Sequence, residues 1–146
     1  MKVQPFFALT ALVIVALALA GCGGGGAAQS GSNEFTILGN DNFRFEPAIV
    51  TVKAGQQIKL TFKNAGTVEH SFAILKPGTD LNHMMEEAHN EEARHDELML
   101  EIHELAAGVS ASETFTAPTQ PGDCTFACLV PGHAQAGMVG TLKVIP

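Results

Sequence analysis

The spacing of three ligand-type residues near the carboxyl end constrains this chain more than any other feature. Cys128, His133 and Met138 follow one another at intervals of five residues, and they offer a thiolate, an imidazole and a thioether. These donors suit copper that cycles between its two oxidation states, in a His₂Cys site with a weak Met ligand. The second imidazole must come from elsewhere, and His70, which follows a turn that contains Asn64, is the best candidate. The fold must therefore bring residue 70 next to the 128–138 loop.

Short strands are predicted along most of the chain. Ile58, Leu60 and Phe62 alternate with polar residues, as in a strand with one buried face. Other segments rich in β-branched residues are separated by Gly, Asn or Pro, and they lie at 35–38, 49–53, 70–75, 113–116, 124–128 and 140–145. Seven or eight short strands with turn signals predict an all-β protein, a Greek-key β-sandwich.

Residues 80–107 interrupt the strands and are predicted to form one helical insertion, because good helix formers are frequent there and apolar residues recur at helical spacing. His95, Met99 and His103 would share one helical face and could bind a second copper or zinc ion. Amphipathic spacing alone explains the Met and Ile positions, so the sequence favours a core-facing stripe with an acidic, solvated back. The residues concerned are His83, His89, His95, His103, Met84, Met85 and Met99.

The amino-terminal segment has the features of a bacterial lipoprotein signal. The run from Phe6 to Ala20 is almost wholly apolar and, at fifteen residues, shorter than the ~20 that a membrane span needs. Leu19-Ala-Gly-Cys22 resembles a lipobox, which predicts a signal peptide at 1–21 and lipidation of Cys22. Residues 22–33 then form a lipidated, flexible Gly/Ser tether, and 34–146 form the copper domain. An uncleaved membrane anchor is the alternative.

The charge of the chain argues against one class of partner. The formal net charge is −7. Removal of the signal peptide also removes Lys2, which makes the remaining chain one charge more negative. Nucleic-acid phosphates would be repelled, so no nucleic-acid partner is expected.

The ligand-type residues and their surroundings resemble the cupredoxins of the plastocyanin, azurin and auracyanin type. The matching pattern runs from Pro121 through Cys128, Pro131-Gly-His133 and Gly137-Met138, with Asn64 and His70 upstream, and the resemblance covers 34–146. It implies one type 1 copper held by His70, Cys128 and His133 in a trigonal plane, with Met138 as axial ligand. Zinc, or an empty site, is the alternative.

Two positions depart from the pattern. Ser71 stands where many relatives carry Asn, and its shorter side chain is expected to weaken or remove the link between the two ligand loops. Cys124 stands where an aromatic residue is common, and we interpret it as a buried, inert thiol, with an alternative ligand as the lesser hypothesis. Along a strand, Cys124 and Cys128 lie ~13 Å apart, too far to form a disulfide.

The resemblance implies a membrane-anchored blue-copper protein that carries one electron between a redox donor and a redox acceptor at the membrane. The domain is expected on the periplasmic or extracellular side of a bacterial membrane, held through acyl chains on Cys22, as a monomer. The sequence contains no catalytic triad or phosphate-binding loop, so the chain is not expected to be an enzyme. The alternatives are a copper-handling lipoprotein (a chaperone or scavenger) and a tightly held accessory subunit of a membrane oxidase.

Overall fold

Two mixed β-sheets form the protein in the computed structural model, which describes residues 33–86 and 94–146. One sheet has four strands in the order β2-β1-β4-β7, and the other has five in the order β3-β9-β8-β5-β6. The four-stranded sheet consists of β1 (Glu34–Asn40), β2 (Arg44–Glu46), β4 (Gln57–Asn64) and β7 (Ser110–Thr116). The five-stranded sheet consists of β3 (Ile49–Lys53), β5 (His70–Leu75), β6 (Leu98–Leu105), β8 (Gly122–Ala127) and β9 (Val139–Ile145). The predicted all-β sandwich is confirmed.

Strand pairing ties distant parts of the chain together. β1 runs parallel to β4, and β3 runs parallel to β9, whereas the other paired strands are antiparallel. The carboxyl-terminal strand β9 therefore lies between β3 and β8. This arrangement fixes the end of the 128–138 loop in the middle of a sheet rather than at an edge.

Aromatic side chains fill the space between the sheets. The predicted alternation in β4 is confirmed, because Ile58, Leu60 and Phe62 are all buried. Phe62 and three further phenylalanines from both sheets, Phe45, Phe72 and Phe126, are packed with ring centroids 5.2 to 6.0 Å apart. The same hydrophobic cluster reaches Cys128 and Met138, so the core supports the predicted metal site directly.

Strand β5 is buried along its whole length. Phe72 and Ile74 belong to the core between the sheets, while Ala73 and Leu75 belong to a second, smaller cluster on the other face. The short helix α1 (Leu81–Glu86) contributes Met84 to that second cluster. His70, the first residue of β5, therefore begins a strand that is held from both sides.

The predicted helical insertion at 80–107 is only partly helical. Among the described residues, helix α1 covers Leu81–Glu86, and Leu98–Leu105 forms strand β6, which pairs with β5 at the edge of the five-stranded sheet. Buried Leu98, Leu100 and Ile102 alternate there with more exposed residues, a period of two. Pairing with a buried strand outweighs the helix propensity of the segment. With β6 and the three-residue β2, the described residues form nine strands, one or two more than predicted.

Several predictions fall on segments outside the described residues. The signal peptide, the lipidation site Cys22 and nearly all of the tether lie within 1–32, and His89 lies within 87–93. In the part of the chain that is described, no helix has the length and apolar character needed to cross a membrane.

Candidate metal centre

The four predicted ligands lie where three central strands meet the loops at one end of the sandwich. His70 is the first residue of β5, Cys128 directly follows β8, and Met138 directly precedes β9. Strands β5, β8 and β9 are neighbours in one sheet, with β8 in the middle. The loop from 128 to 138 therefore begins and ends on adjacent strands, beside the start of β5.

Three of the predicted ligands converge. The ligand atoms of His70, Cys128 and His133 all lie within 4.8 Å of one another. The two Nδ1 atoms of the histidines are 3.2 Å apart, and Cys128 Sγ lies 3.4 Å from His133 Nδ1. His70 and Cys128 are fully buried, whereas His133 is partly exposed. Nitrogen and sulfur lone pairs thus face one small volume, which opens to solvent on the side of His133.

Backbone hydrogen bonds close the 128–138 loop on itself. The Cys128 N–H donates to the Met138 carbonyl over 3.1 Å, and the Met138 N–H donates to the His133 carbonyl over 2.9 Å. His133 itself donates its N–H to Val130. Gly132 and Gly137 adopt φ of 89° and 102°, which glycine tolerates best. The loop therefore turns tightly at both glycines, and these turns bring the thiol and the imidazole together.

Met138 is fully buried under the site, in the same hydrophobic cluster as Cys128. Its methyl carbon Cε lies beside Gly39 of β1, where an added Cβ would come within 2.9 Å of it. A side chain at position 39 would therefore displace the thioether. Glycine at this position leaves room for Met138 between the two sheets.

Ser71 links the two ligand loops, contrary to the expectation from its short side chain. Its Oγ accepts the N–H of Leu129 over 2.9 Å and lies 3.6 Å from Cys128 Sγ. Its own N–H donates to Cys128 Sγ over 3.3 Å. The link is therefore present rather than missing, because β5 and β8 lie close enough for a serine hydroxyl to reach the loop backbone; that it is weaker than an asparagine link stays a prediction.

Asn64 holds the turn that leads to His70. Its buried amide donates to the carbonyls of Val68 and Leu105, and its Oδ1 accepts the N–H of Gly66. All three bonds are 2.7 to 2.9 Å long. The Asn-containing turn in the sequence pattern thus anchors the segment between β4 and β5.

Two residues of the turn between β1 and β2 lie at the site and were missed by the sequence analysis. Asp41 Oδ1 is 3.4 Å from His70 Nε2, and the ring centroid of Phe43 is 4.8 Å from that of His133. Asp41 is 29 residues from His70 in the chain. Asn-Asp-Asn is an ordinary turn sequence, so no local signal distinguished it from a surface loop.

The surroundings of His133 favour its neutral imidazole. Burial lowers the pKa of His133, and the neighbouring His70 lowers it further. A neutral ring keeps the lone pair that a metal ligand needs. Neighbouring Cys124 behaves differently, because burial, followed by the charge of Asp123, raises the pKa of its thiol. Cys124 and Cys128 are both free, as predicted, and the burial of Cys124 agrees with an inert thiol.

The described histidines of the 80–107 segment, His83, His95 and His103, do not converge in this way. His83 and His103 are largely exposed, 3.9 Å from Glu97 and 3.7 Å from Glu101. The predicted helical alignment of His95, Met99 and His103 was wrong, since Met99 and His103 lie on strand β6, although all three line one surface pocket. Within residues 33–86 and 94–146, a single group of three His, Cys, Asp or Glu ligand atoms converges, that of His70, Cys128 and His133.

The donor set fits copper. Two imidazoles and a buried thiol, with a buried methionine in the same loop, match a type 1 copper site. The site sits on strand ends, and the backbone of its loop is hydrogen-bonded on both sides. Such a site can hold a redox-active metal without rearrangement of its supporting strands.

Known proteins share this sequence and structure. Residues 32–145 match the family described as copper binding proteins, plastocyanin/azurin family. The chain is 32% identical over 120 residues to the copper-resistant cuproprotein CopI of Rubrivivax gelatinosus, covering 82% of this chain and 70% of CopI. It is 32% identical over 143 residues to auracyanin-A of Chloroflexus aurantiacus, covering 86% of this chain and 88% of auracyanin-A.

A solved structure gives the same result. The sodium-dithionite-reduced auracyanin of Roseiflexus castenholzii superposes with a TM-score of 0.72 at 34% identity, over 79% of this chain and 98% of that one. The strand order, the converging His-Cys-His group and these similarities agree. The chain belongs to the plastocyanin/azurin family of copper-binding proteins, the cupredoxins.

Proposed function

We propose that this protein is a one-electron carrier whose copper is held by His70, Cys128 and His133, with Met138 as the fourth ligand. The convergence of the first three ligand atoms within 4.8 Å, at a buried loop end, is the observation that carries the proposal. Copper bound there supplies the redox couple. The residues around it hold the donors in place and exclude water.

The exposure of the ligands suggests the route of the electron. His70 and Cys128 are fully buried, whereas His133 reaches the surface beside the ring of Phe43. An electron would therefore enter and leave through the His133 edge. The loop that carries His133 is closed by hydrogen bonds at both ends, so its backbone need not move when the charge of the site changes.

Four side chains saturate the proposed site and leave no position for a substrate. An open coordination position is what distinguishes a catalytic metal centre from a closed one. We therefore propose electron transfer without catalysis. The redox donor and acceptor are proteins that dock at the His133 edge, and the carrier acts as a monomer.

We further propose that the carrier is a lipoprotein. Cys22 would hold the acyl chains, with the domain on the periplasmic or extracellular side and the tether free to span between membrane-associated partners. Expression of the full chain in a bacterial host, followed by membrane fractionation, tests this. Cys22→Ser is expected to move the protein from the membrane fraction to the soluble fraction, and equal membrane association of both forms would contradict the anchor.

The copper site is tested by titrating residues 23–146 with Cu(II) while recording visible and EPR spectra. An intense thiolate-to-copper charge-transfer band that saturates at one equivalent is expected. Cys128→Ser should abolish this band. Cys124→Ser is the matched control, since it removes the other buried thiol, four residues earlier on β8, and should leave the band in place. Absence of the band in the parent protein would refute the carrier proposal.

Copper handling is the second candidate, because two relatives carry the name copper-resistant cuproprotein CopI. It predicts further copper equivalents with ordinary Cu(II) EPR signals, bound by histidines such as His95 and His103. The exposed, separately paired histidines favour the carrier instead. Stable co-purification with a membrane oxidase would favour the accessory-subunit alternative.

A further inference from the structure

Asp41 occupies a defined position beside the proposed copper ligand His70. It lies in the turn between β1 and β2, which is closed by a hydrogen bond from the Phe43 N–H to the Asn40 carbonyl. Its Oδ1 is 3.4 Å from Nε2 of the fully buried His70, while its own side chain is 39% exposed. A carboxylate thus reaches from the surface to the back of a buried imidazole.

The carboxylate is held in one orientation by Thr67. The Thr67 N–H lies 2.9 Å from Oδ1 and 2.8 Å from Oδ2, and the Thr67 hydroxyl donates to Oδ2 over 2.6 Å. The Val68 N–H lies 3.4 Å from Oδ1. Hydrogen bonds from the Thr67 hydroxyl and then from its N–H lower the pKa of Asp41 to about 2. The group is therefore a fixed negative charge at neutral pH.

The ring of His70 divides its two nitrogens between the site and Asp41. Nδ1 lies 3.2 Å from His133 Nδ1, inside the converging group, and Nε2 faces the carboxylate. A neutral imidazole has one N–H and one lone pair. Because a carboxylate only accepts, the contact favours the tautomer with hydrogen on Nε2 and the lone pair on Nδ1, where a metal would bind.

Gly66 makes this approach possible. A Cβ at position 66 would lie 2.0 Å from Asp41 Oδ1 and 3.1 Å from His70 Nε2. The Gly66 N–H is held by Asn64 Oδ1 over 2.9 Å, so the backbone cannot easily withdraw. The space between the carboxylate and the imidazole is therefore kept free by a glycine in a fixed turn.

We propose that Asp41 is a positioning residue for His70, which fixes the imidazole tautomer and places a negative charge behind the ring that favours the oxidised, more positive state of the copper. This inference rests on the proposed copper-carrier function, because it concerns the potential of that site. A fixed negative charge attracts a nearby positive one and so favours the more positive state of the metal, and outer partners of metal-bound histidines change metal affinity by about 10- to 100-fold.

Asp41→Asn is the main test, because it removes the charge and keeps the size of the side chain. In spectroelectrochemical titration we expect the reduced-to-oxidised ratio at a fixed electrode potential to rise about tenfold, equivalent to about 59 mV for one electron. Asp123→Asn is the matched control. It removes the same charge from the other end of β8, about 16 Å from Cys128 along the extended strand, and should shift the ratio far less.

A second variant changes the distance between Asp41 and His70 without changing the charge of Asp41. Gly66→Ala keeps the Asp41 charge but pushes the carboxylate away from His70, so the ratio should shift in the same direction as in Asp41→Asn. An Asp41→Asn shift no larger than that of Asp123→Asn would overturn the proposal. So would a Gly66→Ala potential equal to that of the parent protein.

The tautomer can be measured without copper. In the metal-free protein, ¹⁵N NMR of His70 should show hydrogen on Nε2, and Asp41→Asn should yield a mixture of tautomers. A parent His70 with hydrogen mainly on Nδ1 would refute the positioning role, even if the potential shifted. If the blue band were absent, the carrier proposal would fail while this NMR result still decided the Asp41–His70 contact.

Discussion

Two regions of this molecule are rich in histidine, and among the residues that the structure describes only one region brings its histidines together in a site. At the loop end of the sandwich, His70 and His133 bring their Nδ1 atoms to 3.2 Å beside a buried thiol. In the segment from α1 to β6, His83 and His103 are 58% and 68% exposed and each faces its own glutamate. Both regions contain residues of the types that bind metals. The two regions differ in how deeply these side chains are buried and in how close together they lie.

The difference lies in the support behind the side chains. The site rests on three neighbouring central strands and on backbone hydrogen bonds within its loop. In its described residues, the other region consists of helix α1 and the edge strand β6. Soft donors form a metal site when a rigid backbone holds them together, and they remain surface residues when it does not.

The largest difference is expected in the free energy of unfolding, between substitutions in the two hydrophobic clusters that lie beneath these regions. Phe72→Ala removes a ring from the packed cluster between the sheets and should lower the free energy of unfolding by ~3–5 kcal/mol. Met84→Ala, in the smaller hydrophobic cluster on the other face of the sheet, should cost ~2 kcal/mol, near the low end for such changes, because fewer buried side chains surround it there. Urea unfolding of the metal-free variants measures both, and a greater loss for Met84→Ala would reverse the comparison.

Removing one histidine from each region tests the contrast at the level of metal binding. His133→Ala should weaken Cu(II) binding by more than ~100-fold, because it removes a ligand itself. Substitution of a residue that only contacts a metal-bound histidine weakens metal binding by up to ~100-fold. His103→Ala should leave the affinity and the blue band unchanged. Competition titration against a chelator measures both, and an equal loss in the two variants would show that the regions bind copper together.

Two serines provide a smaller and more local contrast. Ser71→Ala removes the acceptor of the buried Leu129 N–H and should lower the free energy of unfolding by ~1–3 kcal/mol. Ser112→Ala breaks an exposed hydroxyl contact with Thr61 and should change it by less than ~0.5 kcal/mol. Chemical denaturation of the metal-free proteins is the measurement. Equal effects would mean that Ser71 does not link the loops in solution.

The smallest effect is expected at the pair of exposed His83 and half-buried Glu97. Their atoms are 3.9 Å apart, and a surface ion pair contributes ~0.2–1 kcal/mol. A double-mutant cycle with His83→Ala and Glu97→Ala at pH 5.5, where an ordinary histidine is mostly charged, should give a coupling at the low end of that range. A coupling above ~2 kcal/mol would show that this region is better organised than its exposure suggests.

The sandwich and the converging group could be predicted because their signals are local. The alternation of Ile58, Leu60 and Phe62 results from the two-residue repeat of a single strand. The spacing of Cys128, His133 and Met138 lies within a single loop. The approach of His70 to the loop is long-range and has no such local signal: the donor set required a distant histidine, and the family resemblance implied its place beside Cys128 and His133.

The remainder could not be predicted because it depends on contacts across the fold. β6 contains good helix formers, yet its pairing with β5 decides its conformation. Ser71 reaches Leu129 through the closeness of two strands, and Asp41 reaches His70 from a turn 29 residues away. Such residues become visible only when the sheets are assembled.

The closeness of Cys128, His133 and Met138 in the sequence has a consequence for how such a site can evolve. Three of the four proposed ligands are encoded by one stretch of eleven codons whose ends are fixed on adjacent strands, β8 and β9. An exchange of this stretch between related genes would transfer most of a metal site in one step and leave the sandwich intact. His70 and Asp41 are encoded far upstream, so the donor atoms and the charge that acts on them can be selected separately.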